Sequence, residues 1–151
     1  MAVGLYNLQD GKVVRTDRIE MDIDGASTEI PELIGRQLAD IDFLLPNDDD
    51  LTYCLIELDA GSLQFLLDNI DKFVDPMART LCWSTAWEMT RAGTMRARDF
   101  IQLVARGMQA ETELAVLERI VLQASSALKN YADPQWAAQS TLLADALLDG
   151  A

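Results

Sequence analysis

The sequence predicts an α+β fold, with a small antiparallel β unit in residues 1–60 and an α-helical bundle or solenoid segment in residues 61–151. Apolar residues recur at every second position before this boundary and at every third or fourth position after it. Residues 1–60 carry 14 acidic and 4 basic side chains, a net charge of −10, whereas residues 61–151 carry 11 and 8, a net charge of −3. Both changes support a division at this point.

Short strands are predicted in the first part. Asp10-Gly11 is typical of a tight hairpin, because both residues tolerate a positive φ. Asp24-Gly25 gives a second turn signal, after apolar and acidic side chains alternate through residues 19–23. The strands are expected at residues 3–6, 13–23, 28–30, 41–45 and 51–58.

Five helices are predicted in the second part. Asp75 is a capping residue that is followed by Pro76 at the first helical position, and Gly93 suits the left-handed residue beyond the end of that helix. Asp133-Pro134 starts the last helix in the same way. Short loops favour antiparallel neighbours. The helices are expected at about residues 62–74, 76–92, 100–107, 114–128 and 134–150.

Composition excludes several classes of function. The chain contains no histidine, so it has no Ser-His-Asp or Cys-His site and no HExxH zinc helix. A net charge of −13 argues against nucleic acid or an anionic membrane as a partner. Cys54 and Cys82 lack CxxC spacing and are predicted to be buried free thiols in a reducing compartment. With no leader and no apolar run of about 18 residues, the chain is expected to be soluble and cytoplasmic.

Two acidic stretches resemble cation sites at first glance. The run 48–50, three aspartates, offers oxygen ligands for Ca²⁺, but a solvated turn explains it as well and is the preferred interpretation. The stretch 20–31 has Glu20 where an EF-hand loop needs aspartate, and it has Pro31 where the loop needs a bidentate glutamate. No metal ligand is therefore predicted.

Other patterns have structural explanations. Ser126 and Lys129 match the SxxK spacing of serine acyl enzymes, but no SDN or KTG partner motif is present, so a helix surface is predicted. Trp83 and Trp87, one helical turn apart, are predicted to pack in the core rather than to form a ligand platform. Four arginines form either a plain surface or one wall of a cleft for anionic groups: Arg91, Arg96, Arg98 and Arg106.

Three stretches of the chain match a known family in order. They are GLYNLQDGKVVRTDRIEMDIDG, then TEIPELIG with PNDDDLTY, then WSTAWEMTRAGTMRARDFIQLVARGMQAETELAVLERIVLQASSALKNYADP. These stretches resemble the aminopeptidase N family of zinc metallopeptidases, which are of the gluzincin type, and particularly its actinobacterial-like members. The resemblance covers about residues 3–135. No single stretch is a catalytic signature, but the matches occur in order along most of the chain.

The resemblance implies a fragment that spans the end of a β-sandwich domain (residues 1–60) and the start of a C-terminal helical domain (residues 61–151). In the family, that helical domain is a concave superhelix that shapes the chamber for peptides. The parent would remove N-terminal residues with zinc held by an HExxH helix and a distal glutamate, and with a GAMEN-type loop for the free amino group. None of these is present, so no catalytic, cofactor-binding or metal-binding residue is assigned to this chain.

The same resemblance implies which partners the chain has. They are the catalytic domain of the parent and, through it, a peptide substrate, with zinc bound in the parent only. A strand at residues 3–6 would lack its preceding neighbours, which predicts an exposed edge and a possible homodimer. Helices that end early predict exposure of Trp136, Leu142 or Leu143. The alternative function is a free-standing acidic protein-interaction module with no peptidase role.

Overall fold

The structure, a computed structural model, describes residues 1–149, except the side chains of residues 38, 138 and 139. Within these residues it confirms the α+β architecture, with three strands followed by six α-helices. The strands are β1 (Ala2–Gln9), β2 (Lys12–Glu20) and β3 (Phe43–Pro46), and the helices are α1 (Ala60–Asn69), α2 (Pro76–Ala92), α3 (Ala97–Gly107), α4 (Leu114–Asn130), α5 (Pro134–Gln139) and α6 (Leu142–Asp149).

The three strands form one antiparallel sheet in the order β2-β1-β3. The hairpin between β1 and β2 turns at Asp10 and Gly11, whose φ angles of 50° and 77° confirm the predicted tight turn. A β-bulge between Leu5 and Tyr6 shifts the register of β1 against β2. The hairpin and its bulge thus fix which side chains of β1 face the helices.

The prediction that the first strand lacks neighbours is wrong. β1 is the central strand, because β3 returns beside it and pairs Tyr6 with Phe43. The outer strands of the sheet are β2 and β3, and β2 also forms a single parallel bridge between Val13 and Phe73. The expected homodimer through residues 3–6 therefore loses its structural basis.

The predicted strands at residues 28–30 and 51–58 are also wrong. The chain between β2 and β3 is irregular, with a short 3-10 turn at Pro31–Leu33, and residues 51–58 form neither helix nor strand. β2 ends at Glu20 instead of 23 because its pairing with β1 begins at Ala2. In each case the alternation is present, but the described chain supplies no strand to pair with it.

The predicted second helix is confirmed as α2. Asp75 Oδ1 accepts a hydrogen bond from the Met77 amide at 2.9 Å, and Gly93 ends the helix with a φ of 80°. The predicted last helix is divided into α5 and α6, because the backbone is extended at Ser140 (ψ 120°). None of the helices in residues 1–149 combines the length and apolarity needed to cross a membrane.

Exposure near the end of the chain follows the prediction only in part. Leu142 is 40% exposed and Trp136 is half-buried, but Leu143 is buried, since α6 packs against α3. The described helices therefore cover one of the three apolar side chains that were expected to be open.

The main core lies between the sheet and the helices and draws side chains from both sides of residue 60, so the predicted domain boundary stays a prediction. A second core lies on the opposite face of the sheet, where Val3, Leu5 and Ile19 are buried under the irregular residues 21–42. The largest buried side chains of the main core are Trp83, Tyr6, Phe43, Phe100, Leu45, Leu66, Ile70, Ile101, Leu103, Ile120 and Val13.

Candidate functional site

A cleft of about 720 Å³ lies between the turn that joins α2 to α3 and the turn that joins α4 to α5. We call it the arginine cleft. Arg91, Arg96 and Arg98 line it from one turn, and Tyr131 and Trp136 line it from the other side. The structure thus brings together three of the four predicted arginines.

Local hydrogen bonds fix both turns of the arginine cleft. Beyond the left-handed Gly93, the amides of Thr94 and Met95 donate to the Met89 carbonyl at 3.0 and 3.1 Å. On the other side, Asp133 caps α5 by accepting from the Trp136 amide at 3.2 Å. The walls of the cleft are therefore set by helix ends rather than by a long loop.

The arginines of the cleft are largely neutralised by nearby acids. Arg91 pairs with Glu88 at 3.0 Å, and Asp99 pairs with Arg96 at 2.7 Å and with Arg98 at 3.7 Å. The three arginine side chains are at least half exposed, so water also screens them. This arrangement favours a plain paired surface over an anion site.

Arg106 is separate from the arginine cleft. It lies in the last turn of α3 and donates to the Asp68 carbonyl at the end of α1, at 3.3 Å. That contact links the two helices. The four arginines of the sequence therefore do not form one basic wall.

The aspartate run forms a turn, as predicted, but it is solvated only in part, because Asp48 is buried and Asp49 is half-buried. Asp48 is 1% exposed and accepts hydrogen bonds from the Tyr6 hydroxyl and from Arg15 Nη1, both at 2.9 Å. Asp49 accepts from Arg15 at 2.8 Å and from Arg18 Nε at 2.6 Å. Arg15 and Arg18 of β2 thus balance the negative charge of the two carboxylates.

This contact shapes the sheet beside it. A Cβ atom at Gly4 would overlap the Asp48 carboxylate and the Tyr6 ring, which explains a glycine in the central strand. Burial, together with the Asp48 charge, raises the pKa of Tyr6 above its usual range. Hydrogen bonds from Arg15 and Arg18 lower the pKa of Asp49. The cluster acts as a clamp that holds the turn after β3 onto the sheet.

A second buried carboxylate, which the sequence did not reveal, lies among the helices. Glu111 Oε2 accepts from Arg79 Nε and from Trp83 Nε1, both at 3.1 Å, and its Oε1 accepts from the Thr112 amide at 2.9 Å. Arg79 Nη1 donates to the Phe73 carbonyl at 2.9 Å. The sequence feature that could have revealed this carboxylate is Arg79. It places a charge on the apolar stripe of α2, and a buried charge needs a partner.

Burial opposes ionisation of Glu111, but its hydrogen bonds outweigh that cost. Arg79, the Glu113 amide and Trp83 together lower the pKa of Glu111 below its ordinary value. The carboxylate is therefore ionised near neutral pH and ties the start of α2 to the segment before α4. Its hydrogen bonds are all with other groups of the chain.

The cysteine prediction is correct for one residue only. Cys82 is buried, and burial raises the pKa of its thiol, so it is a poor nucleophile at neutral pH. Cys54 is exposed, because residues 51–58 do not lie against the core as the predicted strand would. Neither forms a disulfide.

The tryptophans pack in the core, as predicted. Trp83 is fully buried, and Trp87 contacts Phe100 and Tyr131 with ring centroids 5.4 and 6.0 Å apart. Ser126 lies on α4, where its hydroxyl accepts from Asn130 at 3.2 Å. These contacts are those of packing and of a helix surface.

No group of three or more aspartate, glutamate, cysteine or histidine side chains converges as a metal site in residues 1–149. Asp48, Asp49 and Glu111 are instead held by arginines. The described residues therefore provide two arginine–carboxylate clusters and a cleft.

Comparison with known proteins identifies a family and a relative that this chain resembles. The model of the family described as "ERAP1-like C-terminal domain" matches residues 43–150, from the first residue of β3 onward. Aminopeptidase N of Streptomyces lividans is 38% identical over 135 residues, which are 89% of this chain but 16% of that protein's length. The resemblance to the aminopeptidase N family is thereby confirmed. Because the family model covers most of the sequence, the chain belongs to the ERAP1-like C-terminal domain family.

Proposed function

We propose that this chain is a non-catalytic part of the C-terminal region of a zinc aminopeptidase N, an enzyme that removes N-terminal residues from peptides. The observation that carries the proposal is the 38% identity to an aminopeptidase N along 89% of the chain. In this proposal residues 1–60 are the end of a β-sandwich domain, and residues 61–151 are the start of the helical domain.

Zinc does not fit the residues of this chain. There is no histidine in the sequence, and the buried carboxylates are already bound by arginine side chains. The proposal therefore assigns zinc to the catalytic domain of the parent enzyme. That domain is the main proposed partner, and peptides reach this chain only through it.

The helical part supplies a rigid wall for the substrate chamber. α3 packs against α1, α2, α4 and α6, and the Arg79–Glu111 pair ties the start of α2 to the segment before α4. Such a wall positions its neighbours without taking part in the chemistry. A cytoplasmic location fits the two free thiols, and the net charge of −13 disfavours nucleic acid and anionic membranes.

A chimeric enzyme tests the proposal. The matching region of the Streptomyces lividans protein is replaced by this chain, and hydrolysis of an aminoacyl reporter is measured with and without a chelator. We expect chelator-sensitive hydrolysis to be retained, whereas deletion of the region abolishes it. A matched chimera with Trp83→Ala, which disrupts the main core, should lose activity on mild heating.

Two results would contradict the proposal. A chimera that folds and binds zinc but does not hydrolyse the reporter would show that this chain does not serve the enzyme. Stoichiometric zinc and hydrolysis in the isolated chain would show that the chain is itself catalytic.

The alternative of a free-standing acidic interaction module is favoured by the exposed apolar side chains of Leu51, Tyr53 and Leu55. An antibody raised against the chain separates the two functions in host lysate. A band several times larger than 16.7 kDa that co-fractionates with aminopeptidase activity supports the enzyme. A band at 16.7 kDa supports the module.

A further inference from the structure

We draw no further inference here: the strongest candidate, the groove of about 390 Å³ between α2 and α4 that Trp87, Leu122 and Gln123 line, carries none, because nothing in the structure shows what covers it or what donates a hydrogen bond to the buried Gln123 Oε1.

Discussion

The two faces of the sheet are covered in different ways. On the helical face, Tyr6 and Phe43 pack against Phe73 with ring centroids 5.8 and 5.3 Å apart, and helices close over all three. Phe65 of α1 stacks on Phe43 at 5.9 Å. Regular elements supply three of these four rings, since Tyr6 lies in β1, Phe43 in β3 and Phe65 in α1.

On the opposite face, a loop instead of helices covers the sheet. Val3, Leu5 and Ile19 are buried beneath the irregular residues 21–42, next to a groove of about 350 Å³. A loop has few internal hydrogen bonds to hold its shape, so it adjusts to the side chains below it. A substitution in the main core should therefore lower the free energy of unfolding strongly, because the packed helices adjust little. A substitution in the second core should lower it less, because the loop can adjust.

The largest loss of stability is expected when the Arg79–Glu111 ion pair of the main core is broken, since the second core has no such pair. Glu111→Ala leaves the buried Arg79 guanidinium without its carboxylate and removes an acceptor from Trp83. We expect the free energy of unfolding to fall by about 3–5 kcal/mol. Urea denaturation followed by circular dichroism would measure the loss.

Glu113→Ala is the matched control, since Glu113 is exposed two residues away and its side chain makes no described hydrogen bond. It should change the free energy of unfolding by less than about 0.5 kcal/mol. Equal losses for the two variants would show that the Arg79–Glu111 pair does not stabilise the fold.

A matched pair of leucines compares the two cores directly. Leu66 in the main core and Leu5 in the second core are both almost fully buried. We expect Leu66→Ala to cost about 3–5 kcal/mol and Leu5→Ala about 2–3 kcal/mol, because the loop collapses into the smaller cavity. A loss from Leu5→Ala at least as large as that from Leu66→Ala would show that residues 21–42 are as rigid as the helices.

The same contrast explains what could be predicted from the sequence. α2 was predicted to the residue because Asp75, Pro76 and Gly93 are local signals with local causes. The other main-core helices follow from apolar periodicity, but their bounds are less exact: α1 ends at Asn69 instead of 74, and α3 begins at Ala97 instead of 100. The break at Ser140 was also missed, because it depends on backbone angles that no strong turn residue announces.

A strand forms only where another strand pairs with it, and the pairing strand can lie far away in the sequence. Residues 28–30 and 51–58 alternate as a strand does, but pairing decides whether a strand forms, and the described chain provides no partner for either. The burial of Asp48 was missed for a related reason. Its partners Tyr6 and Arg15 lie more than 30 residues away in the sequence and meet it only through the sheet.

A smaller effect is expected from a single methyl group in the main core. At Gly107 a Cβ atom would lie 2.7 Å from Trp83 Cη2 and 2.8 Å from Ile70 Cγ2, closer than packed atoms approach. We expect Gly107→Ala to lower the free energy of unfolding by about 1–3 kcal/mol, since neither side chain can withdraw. Thermal denaturation would detect it as a lower melting temperature.

Gly61→Ala provides the control, because an added Cβ there meets only the Asp59 side chain, at 3.2 Å. Alanine also favours the helix more than glycine does, by about 1 kcal/mol. Gly61→Ala should therefore be neutral or stabilising. If both variants behaved alike, tight packing around Gly107 would not be the cause.

The smallest expected effect is a change in how stability depends on pH. The pKa of Glu111 is lowered in the folded state from its ordinary value of 4.5. The unfolded chain therefore binds a proton at a higher pH than the folded chain does. The contribution of Glu111 is complete above pH 4.5 and is lost as the pH falls through the lower folded pKa.

Comparison of the wild-type chain with Glu111→Gln isolates this contribution. Asp17, Asp49 and Asp59 also have lowered pKa values and will titrate in both proteins with the same sign. The free energy of unfolding should fall with decreasing pH in both, but less steeply below pH 4.5 in Glu111→Gln. Parallel pH profiles would mean that Glu111 has the same pKa in the folded and unfolded chains.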